Sequence, residues 1–315
     1  MTLKFNNINC NGVKYNGQTV NKLLLNGVKI WPDTQPYDVG NASFLMRFDG
    51  SWDYYSDGTF TASLVNSPSL TTGGPFNEGS LAPTYDPNAA DQSVRKYVNV
   101  AVDEWTKDGV TFPPLMIEWW TNMNNAYNDL LYSTFVGNMT RTGSGNNIHY
   151  YGFTVRWTPS SSYLCLDWLV GNTIEGNNTG LSRIASNAAL KTVLQNPPFN
   201  TWAHYAIYFG STSYFLMNGN CYQNATSRLN IPTSGTKATN AAAWPTDILI
   251  SNANYSENGH NASNIAEVRI LRGQNAEDYL TAIKGSQTAS SPTTYSYTVP
   301  TGPFASGNLT KYTAQ

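Results

Sequence analysis

Charge is scarce in this sequence of 315 residues. Asp, Glu, Lys and Arg together make up 12% of the chain, and the formal net charge at pH 7 is −2. The 18 Lys and Arg residues are scattered rather than grouped, so the basic surface that attracts phosphate backbones and anionic membranes is missing. We therefore expect no nucleic-acid partner.

Long apolar runs and cysteines are also few. No segment reaches the roughly 18 apolar residues of a membrane-spanning helix, and residues 1–10 contain no apolar core of a secretion signal. We therefore expect synthesis in a cytoplasm and no membrane insertion. Cys10, Cys165 and Cys221 form an odd set without a CxxC motif, which favours free thiols over a disulfide framework or a zinc site.

Aromatic and small polar residues are abundant instead. The chain has 20 Tyr, 9 Trp and 25 Gly, a mixture that suits strands and turns. Helical periodicity is confined to residues 275–283, with Asn275 as the expected N-cap and Gly285 as the stop. The predicted strands are 44–48, 115–121, 130–136, 149–157, 163–170, 203–209, 212–217, 248–251 and 265–271. The sequence therefore predicts an all-β fold.

Two of these segments carry further information. Residues 115–120 are apolar at most positions, which predicts a central strand covered on both faces. Asn218-Gly219 directly follows an apolar run, and this dipeptide predicts a hairpin turn because both residues tolerate positive φ.

The two ends of the chain differ from its centre. Asn11-Gly12-Val13-Lys14 returns as Asn26-Gly27-Val28-Lys29, which predicts short hairpins, followed by a proline-bearing linker at 32–36. The last thirty residues are rich in Ser, Thr, Pro and Tyr, which predicts an extended path along another surface. We expect a hairpin module with its linker at 1–36, a sandwich at 37–285 and an extended C-terminal tail at 286–315.

Five segments taken in order carry a family resemblance. They are Phe-Leu-Met-Arg-Phe-Asp-Gly at 44–50, Met-Ile-Glu-Trp-Trp at 116–120, Trp-Ala-His-Tyr-Ala-Ile at 202–207, Tyr-Phe-Leu-Met-Asn-Gly at 214–219 and Ile-Ala-Glu-Val-Arg-Ile-Leu-Arg-Gly at 265–273. Together they resemble the laminin-G-like, concanavalin-type lectin and glucanase superfamily, in the form found in bacteriophage virion proteins. Residues 297–304 are similar to the aromatic tail of such phage proteins, although an insertion precedes them. The resemblance implies a concanavalin-like, two-sheet jelly-roll sandwich.

The resemblance also implies a function. The expected protein is a structural or adhesion component of a phage virion, made in the cytoplasm of the host bacterium. Its hairpin module would attach it to other virion proteins, and its sandwich would face a host-surface glycan or protein. We expect a homo-oligomer. The alternatives are a glycan-cleaving enzyme and a bacterial surface lectin, and the lectin would need an export signal.

The catalytic residues of the superfamily's glycan-cleaving members are missing. Those enzymes carry Glu-x-Asp-x-x-Glu on one strand, whereas Glu118 is followed by Trp119 and Trp120. We expect Glu118 to partner an arginine or the backbone, since buried carboxylates must be satisfied, and His204 to be a hydrogen-bonded sheet histidine. No catalytic residue is predicted.

Two sets of binding residues are predicted. The first set is aromatic: Trp52, Tyr54 and Tyr55, in the loop after the first sandwich strand, and Trp105. These side chains either stack on sugar rings or cover the sandwich edge or a neighbouring subunit. In the same loop, Asp49, Asp53 and Asp57 recur every four residues. Because some laminin-G-like domains bind calcium in such loops, these aspartates form either a calcium site or a solvated loop. No other cofactor is expected.

Overall fold

The fold was analysed in a computed structural model of the chain. It describes residues 41–76, 78–83, 95–102, 114–123, 133–137, 140–142, 149–158, 163–169, 182–183, 198–210, 212–223, 247–252, 261, 263–285 and 294–315, together with short strands before residue 41.

The described strands before residue 41 form three separate two-stranded hairpins. They are β1 (Lys4–Phe5) with β2 (Ile8–Asn9), β3 (Lys14–Tyr15) with β4 (Gln18–Thr19), and β5 (Leu23–Leu25) with β6 (Val28–Trp31). Asn26-Gly27 lies between paired strands, as predicted. Asn11-Gly12 lies between the first and second hairpins rather than between two paired strands.

The remaining strands follow in chain order. They are β7 (Phe44–Met46), β8 (Asp53–Ser56), β9 (Phe60–Val65), β10 (Leu70–Thr72), β11 (Gly79–Leu81), β12 (Tyr97–Val102), β13 (Leu115–Asn122), β14 (Ser133–Gly137), β15 (Thr140–Thr142), β16 (His149–Thr158), β17 (Tyr163–Leu169), β18 (Ser182–Arg183), β19 (Trp202–Phe209), β20 (Tyr214–Met217), β21 (Asn220–Gln223), β22 (Asp247–Ile250), β23 (Asn264–Arg272), β24 (Thr294–Ser296) and β25 (Thr310–Thr313).

These strands build two antiparallel sheets. The first sheet has the order β24-β21-β20-β19-β13-β23-β7-β8-β25, with β11 also pairing with β23 and β10 with β11. The second has the order β18-β17-β16-β14-β22-β12-β9, with β15 beside β16. The expected all-β sandwich of jelly-roll type is therefore confirmed, and β13 is the predicted central strand.

The inner core lies between the two sheets. The first sheet contributes residues such as Phe44, Ile117 and Trp119, and the second contributes residues such as Val100 and Ile250, all of them at most 1% exposed. Because side chains alternate along a strand, the neighbours of these residues on β13, which include Met116 and Glu118, face the outer side of the first sheet.

A helix, α1 (Gln274–Lys284), covers part of that outer side. Its buried residues Ala276, Tyr279, Leu280 and Ile283 follow helical spacing and pack against the first sheet. The expected N-cap is wrong. Asn275 lies within the first turn, and the backbone N–H groups of Ala276 and Glu277 donate to the Gly273 carbonyl instead. Gly285 ends the helix as predicted.

Residues 294–315, called the strap below, cross the outer side of the first sheet. β24 pairs with β21 at one edge, and β25 pairs with β8 at the other. Between these strands, Val299 and Phe304 pack on the sheet face. The strap then reaches the second sheet, where the Leu64 N–H donates to the Gln315 carbonyl at 2.7 Å. One segment therefore supplies both edge strands of the first sheet.

Candidate functional site

Tyr54 does not lie in an exposed loop. It belongs to β8, is 6% exposed, and stacks between Phe44 and Tyr312 with ring centroids 5.6 and 5.3 Å away. The prediction that it lies in a loop is wrong, because β25 pairs with this segment as part of the sheet. Its ring is unavailable for stacking on a sugar.

The other aromatic candidates are not brought together. Trp52 is partly buried against the inner core and meets Phe48 edge-on at 6.4 Å. Tyr55 is partly buried on the outer side of the first sheet, where the Arg47 guanidinium lies 5.4 Å from its ring centroid. Trp105 lies outside the described residues.

The three aspartates have separate local partners. Asp49 accepts a hydrogen bond from Ser51 at 3.0 Å, and Asp57 accepts one from the Thr59 backbone N–H at 2.9 Å. Asp53 pairs with Lys311 at 2.6 Å. Within the described ranges, no group of three or more His, Cys, Asp or Glu side chains is arranged to hold a metal ion. The aspartates stabilise turns and an edge strand there.

A small exposed surface forms where the strap meets β8. We call it the edge patch: Arg47, Asp53, Tyr55, Lys311 and Thr313. Tyr55 pairs with Lys311 and Asp53 with Thr313 in the sheet register, and Thr313 also donates to Asp53 at 2.7 Å. The hydrogen bonds from Lys311 and Thr313 lower the pKa of Asp53, so the patch combines a fixed carboxylate, two cations and an aromatic ring.

The outer side of the first sheet also holds a buried charged group, the Glu118 cluster. Glu118 is fully buried and accepts hydrogen bonds from Arg269 Nε at 2.5 Å and from the Tyr279 hydroxyl at 2.8 Å. His204 Nε2 lies 3.3 Å from the same carboxylate, and His204 Nδ1 is 2.7 Å from the Tyr297 hydroxyl. The predictions that Glu118 partners an arginine and that His204 is hydrogen-bonded are both confirmed.

This cluster is suited to holding elements together. Burial alone would raise the pKa of Glu118, but the Arg269 charge and the hydrogen bonds from His204 and Tyr279 lower it below its ordinary value. The carboxylate is thus charged and saturated. Because Tyr279 comes from α1 and Tyr297 from the strap, the cluster ties both to the sheet.

A second buried group, the Glu267 cluster, holds the strap nearby. Glu267 Oε2 accepts a hydrogen bond from the Phe304 backbone N–H at 2.8 Å, and Arg47 Nη2 donates to the Phe304 carbonyl at 2.6 Å. Arg47 Nε lies 3.7 Å from Glu267 Oε1. Both backbone groups of residue 304 are therefore held by side chains of the first sheet.

Local backbone features explain how these side chains meet. The register between β13 and β23 shifts by one residue between Glu118 and Trp120, and Glu267 has a φ of 50°, which marks a bulge that re-aims its side chain. A Cβ at Gly79 would clash with the Phe48 carbonyl, so only glycine lets that segment approach the end of β7. This approach brings Glu78 to the cluster.

Glu267 is held in its neutral form. Burial is the main cause that raises its pKa to about 8; the hydrogen bond from the Phe304 amide opposes this effect, and the neighbouring charge of Glu78 adds to it. Glu267 Oε1 and Glu78 Oε2 are both buried and have no hydrogen-bond donor among the described residues. The protonated Glu267 carboxyl can donate a hydrogen bond to Glu78, which gives both oxygens a partner.

This second cluster was not predicted from the sequence. The available signal was a pair of charged residues, Glu267 and Arg269, within an otherwise apolar strand. Residues two apart share a strand face, so this pair indicated a charged group on one face of the sheet. Nothing in the sequence pairs Glu78 or Arg47 with that strand.

No protein-family model matches the chain, and no curated protein matches it. No described helix is long and apolar enough to cross a membrane.

Solved structures with similar folds are distant. The binding domain of botulinum neurotoxin DC in complex with SialylT is 14% identical over 78% of this chain, with a TM-score of 0.43. A structure of botulinum neurotoxin type C, whose cell entry depends on interaction with two ganglioside molecules, is 12% identical over 78% of this chain, with a TM-score of 0.40. Alginate lyase vAL-1 from Chlorella virus is 10% identical over 68% of this chain and 93% of its own, with a TM-score of 0.43. The chain spans about half the length of the neurotoxin structures, 51% in both cases.

Proposed function

We propose that this protein is a structural or adhesion component of a bacteriophage virion, whose sandwich is displayed for binding a host-surface glycan or protein. The five sequence segments that resemble laminin-G-like virion proteins support this assignment. The hairpins before residue 41 serve as the attachment module for other virion proteins, and several copies of the chain assemble on the particle.

The observation that carries the binding role is the arrangement of polar groups on the first sheet. Glu118, the carboxylate in the family-like strand, is fully buried and held by Arg269 and Tyr279. The edge patch, in contrast, leaves Lys311 58% exposed beside the partly exposed Tyr55 ring. An aromatic ring with charged hydrogen-bonding groups beside it suits a sugar or a polar peptide.

Binding is tested with purified protein and surface polysaccharide from candidate host bacteria. Tyr55→Ala should weaken binding about tenfold, the effect of losing about 1.4 kcal/mol of ring contact. Tyr295→Ala is the matched control, because Tyr295 is a partly buried tyrosine at the opposite edge of the same sheet. Equal losses in both variants would exclude the edge patch as the contact.

Location is tested by gold-labelled antibody on purified particles. Label on tails or capsids supports the virion role, whereas label on the surface of uninfected bacteria supports the lectin alternative. The enzyme alternative is tested by reducing-end release from the same polysaccharides. We expect none above a buffer control, and release by the unmodified protein would contradict the proposal.

A further inference from the structure

Residue 304 is the point where the strap is held most fully. Its N–H and carbonyl are bound by Glu267 and Arg47, and its ring is 1% exposed. The Arg269 guanidinium lies 4.2 Å from the ring centroid, and the His204 ring lies 6.1 Å away. Releasing this residue would uncover both buried clusters, so the strap and the charges beneath it are coupled.

The hydrogen bond from the Phe304 N–H to Glu267 does not itself require Glu267 to be protonated. A charged Glu267 would accept it equally well, but Glu267 would then be a buried carboxylate beside Glu78, with Arg47 3.7 Å from its Oε1. Two like charges in a buried site repel each other, and each has lost its hydration. The closed arrangement is therefore favourable while Glu267 keeps its proton.

We propose that Glu267, Glu78 and Arg47 form a proton-dependent latch that holds the strap on the first sheet most firmly in acid and progressively less firmly as the pH rises. This regulatory device is independent of the proposed virion role.

The direction follows from proton linkage. In the closed state burial raises the pKa of Glu267 from 4.5 to about 8, and in an open state, where Glu267 meets water, its pKa returns to the ordinary value. Opening therefore releases a proton between these two pH values, and the opening equilibrium increases by up to about tenfold per pH unit. Below pH 4.5 and above pH 8 the effect levels off, since Glu267 then has the same protonation in both states.

Four further charged or titratable groups face the latch. Arg47 approaches from the end of β7, and Arg269, on the same strand as Glu267, is paired with Glu118. Glu78 reaches the latch from the segment before β11 and lies beside Glu267. His204 contacts the Phe304 ring and is bound to Tyr297.

The test is hydrogen exchange of the full chain between pH 5 and pH 9, read by mass spectrometry. Protection factors, corrected for the intrinsic pH dependence of exchange, are compared for peptides covering residues 297–309 and the helix Gln274–Lys284. We expect strap protection to fall by up to about tenfold per pH unit up to pH 8 and then to level off, while helix protection stays constant. Strap protection that is constant from pH 5 to pH 8 would overturn the proposal.

Three variants make the test specific. Glu267→Gln imitates the protonated side chain, so its strap should stay protected at every pH. Glu78→Gln removes one of the charges that raise the pKa of Glu267, so the levelling-off point should move to lower pH, and this variant decides the outcome if the first does not fold. Glu277→Gln, an exposed position on α1, should behave like the unmodified protein. A pH response retained unchanged in both latch variants would assign it to other groups.

Discussion

Removing the charge of Glu118 should destabilise the sandwich severely. Glu118 is 0% exposed and Arg269 is 3% exposed, so Glu118→Gln leaves a buried guanidinium without its counter-charge. Breaking a buried ion pair from one side costs about 3–5 kcal/mol. In a domain of this size each kcal/mol lowers the melting temperature by about 2–4 °C, so the expected loss is about 6–20 °C.

A graded series separates charge from hydrogen bonding. Tyr279→Phe removes one hydrogen bond to Glu118 and leaves the ion pair, so it should cost about 2 kcal/mol. Glu118→Leu combined with Arg269→Met removes both charges and should cost clearly less than the two single changes added together, because neither partner is left buried alone. Glu277→Gln, exposed on α1, is the control and should melt like the unmodified protein.

The assay is thermal and urea unfolding, followed by tryptophan fluorescence at pH 7. Trp119 and Trp120, on the same strand as Glu118, are buried and will report the loss of the core. If Glu118→Gln melts within about 2 °C of the unmodified protein, leaving Arg269 buried without its counter-charge does not cost the expected free energy of unfolding, and the reasoning is wrong.

Three further predictions concern other parts of the chain. Cys221 is buried, and burial raises its pKa to about 12, so in the folded protein it should resist iodoacetamide. In the denatured, unreduced protein Cys10, Cys165 and Cys221 should all be alkylated, and a mass that indicates a disulfide would contradict this. Deleting residues 1–31 should leave a soluble sandwich with a cooperative melt near that of the full chain, because hairpins of two to four residues per strand add little burial. Particles should no longer incorporate the truncated protein. Deleting residues 294–315 removes both edge strands and uncovers the Glu118 and Glu267 clusters, so the truncated protein should aggregate. A monomeric product with a cooperative melt would refute the role assigned to the strap.

Features that depend on neighbouring residues were predicted from the sequence. Asn218 and Gly219 have φ values of 43° and 97°, as the hairpin prediction requires, and they join β20 to β21. The central position of β13 followed from its nearly continuous apolar character, because a strand covered on both faces has no need for polar residues. The pairing of Glu118 with an arginine followed from the cost of burying a lone carboxylate.

Features that depend on distant residues were not predicted. Tyr54 resembles a loop residue within Ser-Trp-Asp-Tyr-Tyr-Ser-Asp-Gly, and it is buried because β25 adds a strand beside β8. The bulge at Glu267 arises from a mismatch between β13 and β23, which no local pattern encodes. Glu78 meets Glu267 only because Gly79 allows close approach to another segment.

The strap also determines the order in which the sheet can be completed during synthesis. Thr313 hydrogen-bonds to Asp53 across 260 positions of sequence, and ribosomes add about 5–20 residues per second. At that rate β25, which pairs with the open side of β8, is synthesised on the order of 13–50 s after β8. During this interval a nascent chain offers unpaired backbone groups to other nascent chains, so crowded translation of this message should favour misassembly between neighbouring copies.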